Sequence, residues 1–231
     1  MSILRKTSSV LAGLMIAGSA SAAMITFDSV GDSGTIHYGG NIEGTDVEGL
    51  SASTSFTLAE IKTSSFVFDV VVANTTNSLW ESSRVSAIGF NVDSDVTSAS
   101  VINTNSSNWF AVLGGSFPNG FGALDICIKE GGGSNSCQGG GNGGVEVGDL
   151  GEFSLELGFA SLPGTVTLDN FGVRWQSLIS EELGYGNDDD EASGTGTPIS
   201  KVPEPGTLGL FGLGVLGLTM AGRRRRLQSQ E

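Results

Sequence analysis

Glu152-Phe-Ser-Leu-Glu-Leu-Gly-Phe159 decides the fold class. Phe153, Leu155, Leu157 and Phe159 fall on one face of this stretch, and Glu152, Ser154, Glu156 and Gly158 on the other. Apolar residues at every second position predict a half-buried antiparallel strand. Outward from it, Leu50 to Leu58 (LSASTSFTL) and Ser65 to Ala73 (SFVFDVVVA) repeat the alternation, the second with Phe66, Phe68, Val70 and Val72 inward. Val85 to Val92, Val96 to Ile102, Trp109 to Leu113, Ala123 to Lys129 and Thr165 to Trp175 are further candidates, and Gly34 to Tyr38 is strand-like. Clusters of Gly, Asn, Asp and Ser separate them, as turns require. No amphipathic helical stretch longer than two turns interrupts the series. Short strands without crossover helices predict an all-β, antiparallel β-sandwich of jelly-roll or immunoglobulin-like type over residues 23–180.

Composition narrows the function. Hydrophobic residues make up 39% of the 231, enough for a core, while charged residues are 16%, below the ~25% of typical soluble domains. The net charge is −14, and residues 23–200 hold four basic against 23 acidic residues, a net of −19. Such a body repels phosphate backbones, so no nucleic acid partner is expected. One His and two Cys cannot build a structural zinc site, which takes four ligands. Of two GxGxxG matches, Gly139-Gly141-Gly144 sits in a glycine-rich loop with no helix following and Gly212-Gly214-Gly217 lies inside the C-terminal apolar span, so neither has the strand-turn-helix setting of phosphate binding. The lone His37 reads as a surface or edge residue of a strand rather than a catalytic base. A glycoside hydrolase would need a carboxylate pair, which any acidic body offers by chance. No catalytic residue, metal or cofactor is therefore expected.

The basic charge sits at the ends. Arg5-Lys6, the apolar run Val10 to Ala17 and the small residues Ala20-Ser21-Ala22 have the three parts of a secretory signal peptide over residues 1–22. Cleavage is expected after Ala22, with Ala23 the alternative. At the other end, Gly206 to Gly222 is 17 residues without a charge, about 26 Å as a helix and near the lower limit for crossing a membrane. Arg223, Arg224, Arg225 and Arg226 follow at once, fixing that flank in the cytoplasm.

Val202-Pro203-Glu204-Pro205 stands just upstream. Together with the apolar span and the arginine cluster, residues 202–226 resemble the PEP-CTERM sorting signal of Gram-negative bacteria. The resemblance implies recognition of Pro203-Glu204-Pro205 and removal of the tail by an exosortase, an integral membrane cysteine transpeptidase. It implies export through the Sec translocon with signal peptidase, transient anchoring in the inner membrane, and a final place at the cell surface or in an exopolysaccharide matrix. The prolines hold the motif extended and unpaired, as a protease site requires. The same region is also known as an ice-binding protein C-terminal domain, but the motif is an address rather than an ice surface.

Glu181 to Lys201 reads as an acidic, Gly- and Ser-rich linker between body and motif. Its Asp188-Asp189-Asp190-Glu191 run lacks the alternate spacing of a calcium loop and reads as a solvated spacer. Cys127 and Cys137 flank a glycine-rich stretch, and an exported chain with an even cysteine count is expected to pair them; a redox-active pair is the alternative. Asp125-x-Cys127, Asn135-Ser-Cys137-x-Gly-Gly and Leu168 to Ser177 resemble the "cistern" subgroup of PEP-CTERM proteins. Trp80 and Trp109 stand at strand entrances, where a ring is either core or an exposed platform for sugar. The second reading would make the body a carbohydrate-binding module. Trp175, continuing the face of Phe171 and Val173, is expected in the core.

Overall fold

In a computed structural model the chain is described over residues 23–104, 109–118, 121–131, 136–138, 143–187 and 190–199. Its strands are β1 (Ile25–Phe27), β2 (Ser33–Ile42), β3 (Thr45–Ile61), β4 (Ser65–Asn74), β5 (Ser82–Val92) and β6 (Val96–Thr104). They continue as β7 (Trp109–Phe117), β8 (Gly122–Glu130), β9 (Val145–Glu146), β10 (Leu150–Phe159), β11 (Val166–Ile179) and β12 (Ala192–Pro198). One sheet runs β6-β10-β4-β3-β2-β12-β11-β5-β8-β7, and every neighbouring pair is antiparallel. Its two ends, β6 and β7, come back beside each other. The sheet thus curls into a nearly closed, two-layered sandwich, and the all-β antiparallel expectation holds.

The deciding stretch is β10. Phe153, Leu155, Leu157 and Phe159 are buried, and Glu152 lies outside. β10 pairs with β4 so that Leu155 faces Phe68 and Leu157 faces Phe66. Aromatic rings from both layers meet in the core, with Phe27 edge-on to Phe68 at 5.0 Å and Phe56 edge-on to Phe90 at 5.4 Å between centroids. Edge-to-face packing places a positive ring edge on a negative ring face. Trp175 is fully buried, as its alternation predicts.

The C-terminal boundary differs from expectation. Residues 192–198, read from the sequence as linker, form β12 and lie between β2 and β11. The inward positions of β12 are Gly194 and Gly196, which supply no apolar signal. A Cβ at Gly196 would meet the carbonyl oxygen of Gly39 and lie 2.6 Å from Cζ3 of Trp175. Trp175 fills the space that side chains on β12 would otherwise take, so this strand must be glycine on its inner face. The lead-in also packs: Leu183 and Tyr185 rest against the core, and Ser180 and Tyr185 exchange both backbone hydrogen bonds. The body therefore continues through Ile199 rather than ending at residue 180.

Candidate functional site

The expected sorting machinery is at the chain's ends, and the sheet fixes where those ends leave it. β11 carries β5 along one side: Leu168 faces Val92 and Val173 faces Ile88. On its other side, Val173 faces Gly196 of β12 and Leu168 faces Ile25 of β1. β12 and β1 run in the same direction in one track between β2 and β11, the first ending where the second begins. Ile25 packs over Gly34 of β2 and Ile199 over Gly39 of the same strand. The Ile199 amide donates to the His37 carbonyl at 2.8 Å, the last backbone hydrogen bond of β12. Both ends of the body thus reach the surface at one junction, marked by exposed Met24 and Ile199. Ala23 packs partly against the core beside it.

The signal-peptide residues Arg5, Lys6, Ala20 and Ala22 lie outside the described residues. So do Val202, Pro203, Glu204 and Pro205, the apolar span, and Arg223 to Arg226. Ile199 precedes Val202 by three positions, in place of the long spacer the sequence suggests.

Cys127 and Cys137 form a disulfide with Cα atoms 5.8 Å apart, inside the usual range. Cys127 sits in β8 opposite Gly89 and Val112, and the Cys137 amide donates to the Ser116 carbonyl. Both sulfur residues are fully buried in a second apolar cluster with Ala87, Phe117 and Leu124. Sealed from solvent and from any attacking thiolate, the pair is a staple rather than a redox centre.

Trp80 and Trp109 are each only 3% exposed, which corrects their reading as sugar platforms. The Trp80 indole N–H donates to the Glu48 carbonyl at 2.9 Å, and its ring stacks on Tyr185 at 5.7 Å. Trp109 packs on Phe153 at 5.2 Å. Tyr185 lies in the segment read as linker, which is why the covering of Trp80 was not legible beforehand.

Sequence reasoning also missed a polar clamp. Ser177, in a β11 bulge with φ of 53°, accepts from Arg84 Nη2 at 2.6 Å and Nε at 3.1 Å. Its hydroxyl donates to Glu191 Oε2 at 2.6 Å, and Arg84 Nη1 donates to the Gly143 carbonyl. A left-handed backbone at a non-glycine residue is strained and persists only where the surroundings hold it. Here Arg84 of β5 and Glu191, the residue before β12, do so. The clamp lines a polar cleft of about 480 Å³ with Glu81, Glu146 and Val147. With its proton given to Glu191 and no imidazole bonded to it, the Ser177 hydroxyl serves as a fastener for β12. Among the described residues no group of three or more His, Cys, Asp or Glu could hold a metal ion.

Two carboxylates are tuned by local bonds. Asp32 accepts from the amides of Asp28 and Ser29, both at 2.9 Å, and these bonds hold its carboxyl below the ordinary value. Glu156 accepts from the Ser65 hydroxyl at 2.6 Å and from Lys62 at 3.1 Å, which lowers it likewise.

No curated protein matches the chain. A family model, the PEP-CTERM protein-sorting motif, matches residues 201–226. The match begins two residues beyond Ile199, so it identifies an address and leaves the sandwich to be read from its own residues. The chain thus carries a PEP-CTERM protein-sorting motif at residues 201–226, and that motif implies export and exosortase-dependent processing at the membrane.

Proposed function

We propose that the sandwich is a non-enzymatic component of the cell surface or extracellular matrix, delivered there by the sorting step. The observation that carries this reading is the sorting motif at residues 201–226 attached directly to β12. Two features of the body support it. Its buried disulfide suits an oxidising compartment. Its outer faces are laced by hydroxyl pairs, Thr35 with Ser55 at 2.8 Å, Ser51 with Thr75 at 3.0 Å and Thr26 with Thr167 at 3.1 Å. Such a surface resembles the hydroxyls of a polysaccharide in its hydrogen bonding and suits a hydrated, neutral matrix. Contact with exopolysaccharide would run through these hydroxyl-rich strands, since Trp80 and Trp109 are covered. The test is fractionation of the producing cells with an antibody to the sandwich. The reading expects the processed body in the surface and matrix fractions, co-sedimenting with the polysaccharide. A body found only free in the periplasm would count against it.

A further inference from the structure

The junction of β1 and β12 borders a carboxylate-free face of a strongly acidic body. The outward positions of β3 from Ser51 to Thr57, of β2 from Thr35 to Gly39 and of β12 from Ser193 to Ile199 include no carboxylate. They present Thr35, His37, Ser53, Ser55, Thr197 and Ile199, and Met24 adjoins them at 61% exposure. Residues 23–200 carry 23 acids, and the one nearest the junction is Asp169 of β11, one step beyond the Ile25–Leu168 pair.

Chain length then fixes what this face meets. Ile199 is held to His37 by its backbone, and Pro203 is four residues further on. An extended chain of four residues spans at most about 14 Å. An enzyme that grips Pro203-Glu204-Pro205 is far wider than that reach, so it must lie against the surface around Ile199. We propose that the carboxylate-free β3-β2-β12 face, with Met24 and Ile199 along its β11 edge, is the surface that docks on the processing exosortase. The proposal rests on the sorting reading and adds to it a recognition surface outside the motif. A face without carboxylates lets a partner approach closely without burying unpaired charge.

The test is pulse-chase processing of the full chain in cells that contain the enzyme. Thr35→Glu, Thr197→Glu and Ile199→Glu place a charge on the face at exposed positions. Phe110→Glu, on β7 at 44% exposure, is the control elsewhere on the surface, and thermal unfolding checks that each variant folds. The expected result is processing about tenfold slower in the face variants, the scale of losing one apolar side-chain contact, and unchanged in the control. A Gly-Ser spacer inserted between Ser200 and Lys201 lifts the body away from the enzyme, so it should slow the wild type to the rate of the face variants and slow those variants no further. Wild-type rates in the face variants, or a wild-type rate that the spacer leaves unchanged, would overturn the proposal. Pro203→Ala with Pro205→Ala runs alongside: processing that survives it would reject the sorting reading itself.

Discussion

Single residues decide whether β12 can exist. Gly196 has Trp175 on one side and the Gly39 backbone on the other, and neither is a flexible side-chain tip that could swing away. Gly196→Ala should destabilise the body by about 1–3 kcal/mol, as overpacking does. Gly164, with open space around its Cβ position and no positive φ, should accept Ala at no cost. Urea unfolding of the two variants makes the comparison, and equal midpoints would remove the packing account of β12. Glu156 supplies a pH signature. Its carboxyl is held below the ordinary 4.5 by the Ser65 hydroxyl and Lys62. A depressed folded value contributes stability above the unfolded value, and that stability is lost as pH falls through the folded one. Glu156→Gln should therefore flatten the acid limb of the stability profile and leave its slope above neutrality unchanged, as read by unfolding midpoints across a pH series.

At the scale of elements, legibility followed side-chain size. β10 and β4 announce themselves through runs of large apolar residues at inward positions, and β3 does so through Leu50, Phe56 and Leu58. β12 uses the same period with the inward residues reduced to Gly194 and Gly196, so Ser-Gly-Thr-Gly-Thr reads as linker when judged by hydrophobicity. The β-branched Thr195 and Thr197, alternating with the glycines, were the available signal. Tyr185 and Glu191 were hidden for the same reason: the partners that give them meaning, Trp80 and Ser177, are about 100 and 14 residues away in sequence. Two predictions belong here. A chain stopped after Asp190 loses β12 and exposes the edges of β2 and β11 in the middle of the sheet, so it should aggregate or fail to unfold cooperatively. A linker would instead leave melting unchanged. Replacing both Cys127 and Cys137 by Ala should cost about 3 kcal/mol in urea unfolding, the chain-entropy value for a loop of this length. Equal stability of that variant would mean the staple constrains nothing.

For the whole molecule, the fold explains how one chain serves two ends. The N-terminal and C-terminal strands share a track between β2 and β11, so the segments that precede and follow them depart from one place. The body closes as a sheet only when β12 is in that track, and β12 is the last strand before the sorting motif. Sheet completion and sorting are therefore neighbours in sequence, separated by the few residues after Ile199. The central claim is that the tail at residues 201–226 addresses this sandwich to an exosortase. Its most direct test is the fate of the chain in the producing cell when Pro203 and Pro205 are both replaced by Ala. The account predicts that the wild-type body leaves the membrane fraction at reduced mass, while the double variant stays there at full length. Release of the double variant at the same rate and mass as wild type would contradict it.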